Sequence, residues 1–98
     1  MRGRSARNLI VDDDPAMLRT VERILSPRHE VRGCSSGAEA IETIRREPFD
    51  VAIVDVRMPG IDGFEVTRTV RTISARTEVV LVTGSVTDLD EKLVRAIE

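Results

Sequence analysis

The chain has 98 residues, of which 33% are charged, and its formal net charge is −2. This length suits one small domain, and the near balance of charge gives no support to a nucleic-acid surface. An aromatic content of 2% leaves almost nothing for stacking on bases, and no apolar run approaches the length of a membrane span. The single cysteine, Cys34, excludes an internal disulfide and is typical of a reducing compartment such as the cytoplasm.

The first part of the chain reads as a tail, a strand and a helix. Residues 1–7 contain three arginines with Gly and Ser, and we interpret them as a disordered basic tail. A strand over residues 8–11 then leads into three consecutive carboxylates, Asp12, Asp13 and Asp14. Asp14 followed by Pro15 is a typical helix start. The helix that follows has an apolar stripe predicted to be buried: Met17, Leu18, Val21, Ile24 and Leu25.

A second strand and helix follow. Residues 30–34 alternate charged and apolar side chains around Gly33, which favours an edge strand. Ser36 with Glu39 has the spacing of a capping box. The predicted inward face of this second helix is Ala38, Ile41 and Ile44.

The third and fourth strands are the most apolar parts of the sequence. Val51 to Val54 read as a strand buried on both faces, and Asp55 follows directly. The chain turns through Met58-Pro59-Gly60 into a helix from about residue 63 to 73. A fourth strand over residues 78–83 ends at Thr83, and Asp88 with Glu91 begins a fourth helix.

Alternating strands and helices predict a parallel α/β sheet with right-handed crossovers. The carboxyl ends of parallel strands meet at one edge, so Asp12, Asp13 and Asp55 are expected to lie close together. Crowded carboxylates repel one another unless a cation neutralises them, and oxygen ligands suit Mg²⁺. The residues therefore predict a metal-dependent acidic site.

Three motifs together resemble the receiver domain of two-component response regulators. They are Leu9-Ile10-Val11-Asp12-Asp13-Asp14, the loop Asp55-x-x-Met58-Pro59-Gly60-x-Asp62-Gly63, and Val82-Thr83-Gly84. The resemblance runs from about Asn8 to the end of the chain. It implies a flavodoxin-like, doubly wound parallel sheet with strand order 2-1-3-4.

The resemblance also implies a role for each matching residue. Asp55 would be the phosphoacceptor, taking a phosphoryl group from a histidine kinase or phosphotransfer protein, and Thr83 would be the switch hydroxyl. Asp13 would bind Mg²⁺ directly and Asp12 through water. The backbone carbonyl of Arg57 and the Asp55 carboxylate would complete the protein ligands. Such a domain catalyses only its own phosphorylation and dephosphorylation.

Simpler interpretations stand beside these roles. Asp14 is expected to cap a helix rather than bind metal, and Asp62 with Gly63 to mark a loop-to-helix start. Asp50 is expected to be a solvated strand entry. Ser85 and the Arg57 side chain lie where they could overhang the site and tune hydrolysis of the acyl phosphate.

The sequence departs from the family pattern at its end. Residues 8–98 are expected to form a receiver domain truncated after the fourth helix, without the family's fifth strand, switch aromatic, phosphoryl-binding lysine and fifth helix. Lys92, the only lysine in the sequence, does not match the missing one. We therefore expect either self-association or a C-terminal continuation, and neither nucleic-acid nor membrane binding by this chain alone.

Two alternative functions are open at this level. One is a receiver-fold binding or dimerisation module that is phosphorylated poorly or not at all, which the missing lysine favours. The other is a Mg²⁺-dependent phosphohydrolase; it is disfavoured because Arg57 stands where such enzymes carry a second catalytic acid.

Overall fold

The computed structural model describes residues 5–82, over which strands and helices alternate along the chain. The elements in order are β1 (Arg7–Val11), α1 (Pro15–Leu25), β2 (Glu30–Cys34), α2 (Gly37–Arg46), β3 (Val51–Asp55), α3 (Gly63–Ile73) and β4 (Glu78–Val82). The described helices are all too short and too polar to cross a membrane. Thr83, Ser85, Lys92 and the predicted fourth helix lie outside the described residues.

The four strands form one parallel sheet in the order β2-β1-β3-β4, as predicted. Val11 pairs with Val54 on one side and with Cys34 on the other, while Asp55 pairs with Val82. The carboxyl ends of β1 and β3 therefore lie side by side. This register places Asp12 and Asp55 at the same edge of the sheet.

One face of the sheet carries the hydrophobic core under α2 and α3. Ala40 and Ile44 from α2 pack with Val66 and Val70 from α3, and all four are buried. The sheet contributes alternate residues to this core: Leu9, Val11, Cys34, Ala52 and Val54. The period-2 alternation of strands puts these residues on one face.

The opposite face has less cover, because among the described helices α1 alone packs there, against β1 and β2. No residue of α1 is fully buried, and Ile24 is 69% exposed, so the predicted buried stripe is wrong at that position. Val51 and Ile53 are only half-buried, and Val80 is 46% exposed. The expectation that β3 is buried on both faces is therefore correct for the α2–α3 face only.

The buried face of α2 differs from the predicted one by a rotation about the helix axis. Ala38 is exposed, whereas Ala40, Thr43 and Ile44 are buried. Thr43 is compatible with burial because its hydroxyl donates to the Glu39 carbonyl at 2.8 Å and lies 3.5 Å from the Cys34 sulfur. A threonine whose hydroxyl is bonded within its own helix can face a core, which an apolar-only pattern does not detect.

Arg7 belongs to β1 and not to the basic tail in which the sequence pattern puts it. Its backbone N–H donates to Asp50 Oδ2 at 2.8 Å, and its guanidinium donates to Glu47 Oε1 and to the Pro48 carbonyl, both at 2.7 Å. The guanidinium also lies 4.9 Å from the centre of the Phe49 ring. These contacts are long-range, so the local composition of residues 1–7 could not predict them.

Candidate functional site

Two buried carboxylates lie at the carboxyl edge of the sheet. Asp12 is 5% exposed and Asp55 is 6% exposed. β1 and β3 are adjacent and parallel, so each strand delivers its carboxylate to the same point. A buried carboxylate is costly unless it is neutralised, and two together are costlier still. Their joint burial is the first physical sign of a binding site.

Asp13 adds a third carboxylate from the solvent side. One carboxylate oxygen from each of Asp12, Asp13 and Asp55 lies within 4.8 Å of the others, and Asp13 is exposed. Three converging oxygens are a donor set that suits a hard divalent cation such as Mg²⁺. Among the described residues, the three carboxylates that the sequence predicts to converge do so.

Asp14 has a different role from its two neighbours. Its Oδ1 accepts a hydrogen bond from Ala16 N at 2.9 Å, which makes it the N-cap of α1. Its own backbone N–H donates to Asp12 Oδ1 at 2.9 Å. The expected helix cap is therefore present, and Asp14 also orients the Asp12 carboxylate through its main chain.

The pKa of Asp55 is raised from its ordinary 3.8 to about 6. Burial is the largest cause and the nearby charge of Asp12 the next, while the hydrogen bond from the Arg57 backbone partly opposes them. The pKa of Asp12 is also raised, chiefly by its burial. Without a cation, the pair resists full ionisation, as expected when like charges are held together.

The loop between β3 and α3 folds back over the end of β3. The Arg57 N–H points to Asp55 Oδ1 at 3.4 Å, a long hydrogen bond, and Met58 is buried. Gly60 has φ +78°, a conformation that favours glycine. Asp62 caps α3 by accepting from Glu65 N at 2.9 Å, so the predicted loop-to-helix start is correct.

Gly63 has a second role that the sequence pattern did not reveal. Its N–H donates to the Val56 carbonyl at 3.0 Å, and a Cβ at this position would lie 2.3 Å from the Asp55 carbonyl oxygen. The first turn of α3 thus lies directly on the backbone that follows Asp55. The only available signal was a glycine at the first position of a helix, where better helix formers are common.

The other predicted site residues differ in how far the structure locates them. Arg57 has an exposed side chain and lies two residues beyond Asp55, with its backbone N–H directed at the site. Thr83 is outside the described residues, although Val82, just before it, pairs with Asp55. Asp50 is a strand entry as expected, and its Oδ2 accepts the Arg7 N–H.

An apolar cleft of about 140 Å³ opens next to the acidic site, between α1 and the sheet. Asp12 lies at its polar end. The other lining residues are Ile10, Val11, Met17, Val21, Ile53 and Val82. The cleft follows from the partial cover of this face and brings apolar surface close to the carboxylates.

Comparison with known proteins agrees with this geometry. The family model for the response regulator receiver domain matches residues 9–98. The sensor protein GacS of Pseudomonas syringae pv. syringae is 38% identical over 72 residues, which are 72% of this chain and 8% of that protein's length. The chain thus spans a small part of this relative, which is described as a sensor protein.

Solved structures show the same fold. A crystal structure described as an adenylate cyclase from Rhodopirellula baltica has a TM-score of 0.83 and 40% identity, over 96% of this chain and 69% of that one. The Vibrio cholerae chemotaxis protein CheY4 has a TM-score of 0.79 and 29% identity, over 96% and 81% of the two chains. With the family match, the sheet order and the acidic edge in agreement, this chain belongs to the response regulator receiver domain family, the signalling switches of two-component phosphorelays.

Proposed function

We propose that this chain accepts a phosphoryl group on Asp55 from a phosphohistidine donor, in a reaction that requires Mg²⁺. The observation that carries the proposal is the convergence of Asp12, Asp13 and Asp55 at the carboxyl ends of β1 and β3, with oxygens within 4.8 Å of one another. Family membership supports the same role. A binding module without phosphorylation is not favoured, because such a module has no need for buried, unneutralised carboxylates.

In the proposed reaction, an Asp55 carboxylate oxygen attacks phosphorus, the O–P bond forms and the N–P bond to the donor histidine breaks. The departing imidazole nitrogen keeps the electron pair. A bound Mg²⁺ supplies charge neutralisation for the anionic donor and the developing transition state. Asp13 and Asp12 would hold the ion, and the Arg57 carbonyl is proposed as a further ligand. Thr83 is proposed as the hydroxyl that senses the phosphoryl group.

The partner follows from this chemistry. A histidine kinase, or a phosphotransfer protein with a phosphorylated histidine, would supply the phosphoryl group.

The buried thiol of Cys34 is in keeping with the cytoplasmic location that the sequence predicts. The chain would catalyse its own phosphorylation and dephosphorylation and no turnover of free substrates.

Self-association is a second proposed property, supported by the incomplete cover on the α1 face. Val80 is 46% exposed and lies on β4, which within residues 5–82 pairs with β3 alone. An exposed apolar edge strand is a surface on which another chain can pair. A second copy of the chain is one occupant that would bury it.

Incubation with a small phosphodonor and Mg²⁺ tests the central proposal. The intact mass should rise by one phosphoryl group, and Asp55→Asn should abolish the increase. Asp62→Asn is the matched control: Asn is as good a helix cap as Asp, so this variant removes a nearby carboxylate without disturbing α3. Labelling of the Asp55→Asn variant at the rate of the parent chain would remove Asp55 from the role.

A further inference from the structure

The start of α3 approaches the backbone at the end of β3 at Gly63, a residue that has no side chain. A Cβ on Gly63 would lie 2.3 Å from the Asp55 carbonyl oxygen, 2.8 Å from the Val56 Cα and 2.9 Å from the Asp55 carbonyl carbon. Ordinary van der Waals contact for a Cβ begins at 3.4 Å. All three contacts are with backbone, so no flexible side chain can move aside to make room.

A hydrogen bond holds this approach in place. The Gly63 N–H donates to the Val56 carbonyl at 3.0 Å, which ties the first turn of α3 to the Val56–Arg57 peptide. The next N–H along the chain, that of Arg57, is directed at Asp55 Oδ1 at 3.4 Å. Gly63 therefore contacts the backbone of residues 55–57, the same segment that bears the Asp55 carboxylate and the Arg57 N–H.

We propose that Gly63 is a positioning residue for the acidic site. Because it has no Cβ, α3 can pack directly against the Asp55–Val56 peptide. This inference rests on the proposed phosphoacceptor function of Asp55. A methyl group at residue 63 must separate α3 from the end of β3 by about 1 Å, and a displacement of that size at a reacting group costs about 100-fold in rate. Gly63 acts through Asp55 and Arg57 and does not itself touch the reacting atoms.

Gly37 provides a matched control for crowding. A Cβ there would lie 2.8 Å from the Ile61 carbonyl oxygen and 2.8 Å from Val66 Cγ2, so alanine at residue 37 is also too large for its space. Its crowded neighbours are Ile61 and Val66, and none of the three nearest atoms belongs to Asp55 or Val56. Gly37→Ala should disturb the packing of α2 against α3 while leaving the end of β3 in place.

The experiment compares the parent chain, Gly63→Ala and Gly37→Ala in their folded states. Thermal unfolding of each variant is first followed by circular dichroism. The assays are then run well below the midpoint temperature of that variant, with sucrose added to favour the folded state where needed. Mg²⁺ affinity is then measured by NMR titration, and the rate of labelling by a small phosphodonor is measured at saturating Mg²⁺.

We expect Gly63→Ala to weaken Mg²⁺ binding about tenfold and to slow labelling about 100-fold. Gly37→Ala should stay within about threefold of the parent chain in both, although it melts earlier. Folded Gly63→Ala with parent-like affinity and rate would overturn the inference. So would equal losses in the two variants, or a failure of Gly63→Ala to fold even in sucrose, since Gly63 would then serve the fold alone.

The outcomes also separate this inference from the proposed function. If the parent chain takes no phosphoryl group, the proposed function fails, and the Mg²⁺ affinities alone decide the role of Gly63. If the parent chain is labelled on Asp55 and Gly63→Ala is labelled equally fast, the function stands and the positioning role is rejected.

Discussion

Asp13 and Asp14 are adjacent, yet the structure gives their carboxylates different roles. Asp13 joins the acidic cluster, whereas the Asp14 side chain caps α1. We expect Asp13→Ala to weaken Mg²⁺ binding at least tenfold. Asp14→Ala should leave affinity nearly unchanged and lower the free energy of unfolding by about 1 kcal/mol, the usual effect of losing a cap. NMR titration and chemical denaturation measure the two effects; equal changes in affinity would contradict the assignment.

The raised pKa of Asp55 predicts how stability depends on pH in the metal-free chain. Its folded pKa, about 6, lies above the ordinary 3.8, so the folded state holds this proton more tightly than the unfolded state. The resulting stabilisation is fully present below about pH 4 and is lost as the pH rises through 6. The loss should be about 1–3 kcal/mol, at about 1.4 kcal/mol per pH unit.

Chemical denaturation of the parent chain and Asp55→Asn, at pH values from 4 to 8, measures this loss. The comparison is needed because Glu47, whose pKa is lowered by its hydrogen bond with Arg7, changes stability in the opposite direction at low pH. As the pH rises, the free energy of unfolding of the parent chain should fall relative to that of Asp55→Asn. Addition of Mg²⁺ should restore the parent at pH 8 and have less effect at pH 5, where protons compete for the carboxylate. A pH-independent difference would refute the prediction.

At the scale of single elements, α3 shows how a helix face is chosen. Phe64 and Val66 are both apolar residues near the start of α3, yet the structure buries Val66 completely and leaves Phe64 36% exposed. Val66→Ala should lower the free energy of unfolding by about 2–3 kcal/mol, through lost apolar burial and a cavity. Phe64→Ala removes more atoms but should cost less than Val66→Ala, because its partly exposed site leaves no enclosed cavity. Urea denaturation of both variants tests this order, and a larger loss for Phe64→Ala would reverse the assignment of the buried face.

At the scale of the whole molecule, the two faces of the sheet are covered unequally. Among the described helices, α2 and α3 cover one face and α1 alone lies on the other, where Ile53 and Val82 are half-buried and Val80 is 46% exposed. Burying a large apolar side chain contributes about 1.5–3 kcal/mol, so several such residues are comparable with a typical domain stability of about 5–15 kcal/mol. Another surface that packed on this face would add substantially to stability.

We therefore expect the 98-residue chain to self-associate at low micromolar concentration. Sedimentation velocity should show a mass that rises with concentration, and Val80→Lys should shift the chain toward monomer, since a charge on an edge strand opposes pairing. Thr72→Lys, on the exposed outer side of α3, is the matched control and should leave the mass unchanged. A monomeric parent chain with a sharp, cooperative melt would contradict the prediction.

Much of the fold and of the acidic edge could be predicted from local patterns alone. Apolar runs followed by carboxylates at residues 12 and 55 indicated two strands ending at one edge, and β–α alternation indicated a parallel sheet in which such ends converge. The starts of α1 and α3 were also predictable, because capping is a contact between a side chain and backbone two or three residues away. Asp14 and Asp62 both cap as their sequence context indicates.

Tertiary packing decided what local patterns could not. The sequence placed Arg7 in a tail, but its partners Asp50, Glu47 and Pro48 are about 40 residues away and appear only when β1 lies beside β3. The exposure of Ile24 depends on what covers the α1 face, and the pKa of Asp55 depends on burial beside Asp12. The close approach of Gly63 to the Asp55 backbone likewise exists only after α3 has docked. Each of these properties depends on distances between separate elements, and a one-dimensional pattern does not contain those distances.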